Sequence, residues 1–139
     1  MSRLTIFLAR SIGLFMVLLV AGFLVRGGTA IEATIEDEGV MISYAIISLA
    51  MGIAMVIGHN VWSGGLMATV VTLTGWLVLA KGIGLLLLAP GQVQSLFRQM
   101  QYAKYAAAYL SPALLIGLYL TCAGFTAPSK MKTGLLDEA

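Results

Sequence analysis

Lys81 stands inside an otherwise uncharged apolar run, residues 66–88, in a chain of 139 residues. An ammonium group so placed is either paired within the protein, drawn toward the headgroups, or set to contact an anion or substrate in a cavity. The run tolerates it: each Leu, Val or Ile favours insertion by roughly 0.3 to 0.6 kcal/mol, against a cost of roughly 2.5 to 3.5 kcal/mol for one lysine. Its expected partner is Glu36, Asp37 or Glu38, ahead of the preceding apolar run and on the same side of the membrane. Tyr44 and the carbonyls near Gly82 and Gly84 are the alternatives.

His59 is the chain's single histidine, and it lies in the polar link Gly58-His59-Asn60-Val61-Trp62-Ser63-Gly64-Gly65. A histidine at a helix end can titrate near neutral pH or bind a metal, but a zinc site needs three or four ligands. A haem held between two histidines would need two chains. Neither HExxH nor CxxC occurs. The plainer expectation is turn chemistry, with Asn60 bonding local backbone and His59 and Trp62 anchoring the interface. Arg10, in the first apolar run, is expected to snorkel toward the headgroups. Tyr102, Tyr105 and Tyr109 fall on one face near the start of the last run, where tyrosines serve as membrane anchors or contact a headgroup or quinone. No catalytic residue, metal ligand set or cofactor site is expected.

The elements that must position these residues follow from composition. The chain is 60% hydrophobic and only 10% charged, where a soluble domain carries about 25% charge. Lipid is the solvent that suits such a surface. The net charge of +2 is spread out, with no basic patch interleaved with aromatics, which argues against nucleic acid as a partner. Apolar runs place transmembrane helices at about 4–25, 40–57, 66–88 and 105–125. Gly27-Gly28 opens a loop that turns acidic through Glu32, Glu36, Asp37 and Glu38. Arg3 and Arg10 ahead of an apolar stretch, with Gly28-Thr29-Ala30 after it, also fit a cleaved leader; Arg26 and the three further spans favour a retained helix. Residues 92–101 set Val93, Leu96, Phe97 and Met100 on one stripe of a polar segment, either an interfacial helix or an extension of the last span. Pro112 is expected to kink that span. The fold class is thus an all-α integral membrane protein, a single domain over 1–139 with four helices in an antiparallel bundle.

Four spans put both termini and the His59 link on one side. That side carries Arg3, Arg10, Lys130 and Lys132; the other carries Arg26, Arg98 and Lys104, with Lys81 leaning toward it. The basic excess places both termini in the cytoplasm. Small residues recur every four positions at Ala50, Ala54 and Gly58, at Gly64, Ala68 and Thr72, and at Ala113, Gly117 and Thr121. Such stripes allow close helix contact, within the chain or between chains.

His59-Asn60-Val61-Trp62, then Thr72-Leu73-Thr74-Gly75-Trp76, then Lys81-Gly82, resembles a stretch of small bacterial four-helix integral membrane proteins. The resemblance covers the second turn and third helix. It implies a bacterial inner-membrane location, singles out His59, Asn60, Trp62, Trp76 and Lys81, and brings no activity with it. Small multidrug transporters differ, since they carry a glutamate in the first helix and residues 4–25 contain no carboxylate. The reading that accounts for most features is a non-enzymatic membrane component, an accessory subunit packing against a larger membrane protein or against its own copies. The alternatives are a small oligomeric transporter or channel using Lys81 and the third-helix threonines, or a cofactor-binding subunit.

Overall fold

A backbone immersed in lipid finds no water, so each peptide group must be satisfied within a helix or a closed barrel. The computed structural model describes residues 2–127 and takes the helical solution, with no strand among the described residues. The elements are α1 (Arg3–Glu36), α2 (Glu38–Gly58), α3 (Leu66–Leu87), α4 (Pro90–Gln99) and α5 (Ala106–Thr126). Four of them, α1, α2, α3 and α5, are long and apolar enough to cross a membrane, and the protein is a multi-pass membrane protein. Lys130 and Lys132, counted above toward orientation, lie outside the described residues.

The first helix departs from expectation. The chain does not leave the helix at Gly27-Gly28 for an acidic loop. It kinks at Gly27, whose φ of 78° and ψ of 176° suit a residue without a Cβ, and continues helical to Glu36. The acidic segment holds a helix because its apolar positions have something to cover, and Ile31 is 4% exposed. Asp37 alone separates α1 from α2. Its N–H donates to the Ala33 carbonyl at 3.2 Å, and its carboxylate accepts from Val40 N–H at 3.0 Å, ending one helix and capping the next.

The spans pack as two antiparallel pairs. Between α2 and α3 the backbones nearly touch: a Cβ on Gly52 would lie 2.5 Å from Leu79 Cα, and one on Gly82 would lie 2.6 Å from Leu49 N. Between α1 and α5, a Cβ on Gly13 would lie 2.6 Å from Thr121 N. Apolar tails give helices no reason to hide apolar faces, so such close approach is what association in lipid relies on. The small-residue stripes are used selectively. Gly117 faces α1, and Ala68 and Thr72 are buried, but Ala50, Ala54 and Gly58 lie on the exposed side of α2. That helix packs instead through Ala45, Ser48, Gly52 and Met55.

The two pairs meet unevenly. At the end bearing the 59–65 turn, Ile6, Ala9 and Ile12 of α1, Met55 of α2, Met67 and Val71 of α3 and Leu120 of α5 form one buried cluster. At the other end α4 lies across the opening as a helix of its own. It covers Val93, which is 4% exposed, while Leu96 and Met100 of the same stripe stay exposed. Gln101, at a φ of 48°, breaks α4 from α5, so 92–101 is not an extension of the last span.

α5 runs unbroken across Pro112. Proline removes the N–H that would have bonded the Ala108 carbonyl, and the Ser111 hydroxyl donates there instead at 2.8 Å. A proline in a span is tolerated when a neighbouring hydroxyl re-satisfies the freed carbonyl. Ser111→Ala should lower unfolding free energy in detergent by about 1 kcal/mol, the net worth of one hydrogen bond. Gly52→Leu should lower it by about 1–3 kcal/mol through overpacking. Gly22→Leu, where a Cβ meets nothing within 4 Å, should leave the unfolding midpoint unchanged in the same titration.

Candidate functional site

His59 ends α2, and its side chain, only 3% exposed, reaches between α1 and α3. It is not an interfacial anchor, which corrects the expectation from its place in a polar turn. Its backbone N–H holds the Met55 carbonyl at 2.7 Å, which fixes the ring against the buried cluster. Thr72, one turn and a half into α3, meets it from one side and Thr5, in the first turns of α1, from the other.

The hydrogens of this network can be placed by counting donors. Val61 N–H donates to Thr72 Oγ1 at 3.1 Å, and Thr72 gives its single hydrogen to the Val61 carbonyl at 2.9 Å. What remains on Thr72 Oγ1 is acceptor capacity, and His59 Nδ1 stands 3.3 Å away, so Nδ1 is the protonated nitrogen. Nε2 then accepts from Thr5 Oγ1 at 2.9 Å. Thr5 Oγ1 accepts from Ser2 Oγ at 2.6 Å, and Ser2 Oγ accepts from Thr5 N–H at 3.1 Å. Every group in this hydrogen-bond network has a partner, and among the described residues no buried side-chain nitrogen or oxygen lacks one.

Asn60 points outward and accepts from two indoles, Trp62 Nε1 at 2.8 Å and Trp76 Nε1 at 3.5 Å. It does not bond local backbone as expected. Both tryptophans are exposed. His59, Asn60, Trp62 and Trp76 are therefore brought together at one end, and Lys81 is not among them. Thr69 and Thr74 direct their hydroxyls to the carbonyls of Trp62, Gly65 and Val70 in and just before α3, rather than lining a polar path.

Arg10 sits near the same end. Rather than only reaching for headgroups, its Nε donates to the Gly124 carbonyl at 2.8 Å, and its guanidinium lies 5.0 Å from the centre of the Phe125 ring. Gly124 belongs to the last turn of α5, whose carbonyls lack intrahelical partners and carry the negative end of the helix dipole. The arginine closes that helix against α1.

Lys81 has a partner other than the expected carboxylates. Its Nζ donates to Tyr44 Oη at 2.8 Å and lies 4.2 Å from the ring centre. Glu36 is engaged instead by Arg98 at 2.7 Å, while Gln94 Nε2 donates to the Glu36 carbonyl at 3.1 Å. The ion pair is exposed on both sides, and such pairs contribute about 0–1 kcal/mol. Apolar contact through Val93 and Phe97 therefore does more to hold α4 than this bridge does. Tyr102 stacks on Tyr109 at 5.0 Å and meets Phe97 edge-on at 5.0 Å. Burial pushes the Tyr102 phenol above its ordinary value, and nearby Tyr44 adds to the shift.

Sequence reading misses Thr5 as a partner of His59. A threonine at the start of an apolar span carries no mark of what it will face from a residue 54 positions on. Among the described residues, no three His, Cys, Asp or Glu side chains converge as a metal site would require. No protein family, curated protein or solved structure matches this chain.

Thr72→Val strips the acceptor from both Val61 N–H and His59 Nδ1, and should lower stability by about 1–3 kcal/mol per orphaned group. Thr72→Ser should recover most of the loss. Amide exchange at Val61, slow in the parent protein, should accelerate in the valine variant and not in the serine one.

Proposed function

We propose that this protein is a small non-enzymatic component of the bacterial inner membrane, with both termini cytoplasmic, that acts by packing against a larger membrane protein or a second copy of itself. The observation that carries this reading is the closed network around His59. Catalysis and cofactor binding call for polar groups converging on a space where a reacting atom can sit. Here the hydroxyls of Thr5 and Thr72 and both nitrogens of His59 are turned on one another and on the backbone. Arg10 is similarly committed to the end of α5. The Thr5–His59 contact latches the two helix pairs together, and Arg10 fastens α5 to α1 within one of them.

The exposed side of α2 supports the same reading. Ala50, Ala54 and Gly58 lie on that side, and a Cβ on Gly58 would meet nothing within 4 Å. Stripes of small residues admit a second helix closely. The proposed location rests on the resemblance of the stretch from His59 to Gly82 to small bacterial membrane proteins.

Ala54→Leu should break association, with self-copies in mild detergent or with a protein encoded beside it, by at least tenfold, about 1.4 kcal/mol. The unfolding midpoint of the isolated chain should not move. Association that survives Ala54→Leu and Ala50→Leu together would remove this face from the reading. Substrate-dependent flux through liposomes, abolished by Lys81→Met, would replace it with transport.

A further inference from the structure

The end of the molecule opposite His59 is not filled by side chains. A cavity of about 200 Å³ lies there, lined in the spans by Leu19 and Phe23 of α1 and Leu110 of α5, with Tyr44 of α2 also on its wall. Beside it lies a second cavity of about 310 Å³, bordered by Glu32 and Glu36 of α1 and by Arg98 and Lys104. Ile35, Phe97 and Tyr102 line both. An apolar well within the span thus adjoins a charged mouth at the helix ends.

We propose that these adjoining cavities bind one zwitterionic phospholipid of the ethanolamine class, with an acyl chain in the well and the headgroup in the mouth. The order of environments matches an amphiphile. Leu19, Phe23 and Leu110 sit in the apolar spans, and every formal charge on the lining of the second cavity lies beyond them. The charges choose the headgroup. Two carboxylates, Glu32 and Glu36, come from the last turns of α1, and two cations, Arg98 and Lys104, come from α4 and the turn after it. A purely anionic headgroup would meet as many carboxylates as cations. A phosphate set toward Arg98 and Lys104 with an ammonium set toward Glu32 and Glu36 satisfies both pairs.

A primary ammonium also brings N–H donors that the carboxylates accept, which a quaternary choline cannot. The Arg98–Glu36 bridge that spans the mouth is exposed on both sides and yields readily to a headgroup, because exposed pairs are weak. Phe97 lies at the junction of well and mouth on α4, a helix held on its rim by that bridge and by Gln94. This site is independent of the packing role proposed above, since a solitary chain would have it.

The test uses the full chain, delipidated in detergent and titrated with dioleoyl phosphatidylethanolamine, phosphatidylcholine or phosphatidylglycerol, with bound lipid counted by native mass spectrometry. One ethanolamine lipid should bind at least about tenfold tighter than the glycerol lipid, the difference expected from a single charge-assisted hydrogen bond. Glu32→Gln with Glu36→Gln leaves a cationic mouth and should turn the preference toward the glycerol lipid. Filling the well with Leu110→Trp should weaken all three lipids, and Thr34→Phe, at another residue on the wall of the well, gives a second filling variant if the first does not fold, as judged by lipid-free melting. Equal binding of the three lipids by the parent protein would overturn the proposal. So would full affinity in a folded, filled variant, or phosphoethanolamine alone binding as tightly as the whole lipid.

Discussion

Lipid withholds from this protein the force that folds soluble ones. An apolar side chain gains little by leaving an apolar tail for an apolar neighbour, so helices join where backbones can come very close and where polar groups find partners across the gap. Both means are visible here and they fall at different places. Close approach is concentrated within the pairs, at Gly52 and Gly82 in one and Gly13 in the other. Polar links are concentrated at the ends, where His59 ties the pairs together on one side and Glu36 ties α4 to α1 on the other.

The two ends are unlike because their polar groups are differently placed. His59 is deeply buried, and a buried polar group without a partner costs about 1–3 kcal/mol. Its neighbours are accordingly arranged so that no donor is left over. Glu36 and Arg98 are exposed, so they hold α4 only lightly, and the space beneath that helix is left partly open. A tight end and a loose end follow from where burial forces satisfaction and where solvent or headgroups relieve it.

Lys81 and Arg10 show how a span accommodates charge without an opposite charge. Each uses an aromatic face together with one oxygen acceptor: Tyr44 supplies both for Lys81, and Phe125 with the Gly124 carbonyl does so for Arg10. Arg10 has the further benefit of a helix terminus, where unpaired carbonyls concentrate negative potential. Neither arrangement leaves a carboxylate within the span to be neutralised.

Much of the fold was legible in residue order, because the lipid requirement is written one-dimensionally. A run of apolar residues long enough to cross announces a helix whatever its neighbours are, and so the spans at 40–57, 66–88 and 105–125 are found within a residue or two at each end. The same logic misjudged residues 27–36, where a glycine pair and carboxylates look like a loop. Gly27 turns the helix instead of ending it, and Ile31 finds cover that no local pattern announces. What residue order could not supply was pairing. Whether Lys81 meets a carboxylate or a phenol, whether Ala50 or Gly52 faces the next helix, and whether His59 meets water or Thr5 depend on how helices rotate and which of them touch. Those are set by fits of a few tenths of an ångström between segments far apart in the chain, and a sequence records the pieces of such a fit without their relative placement.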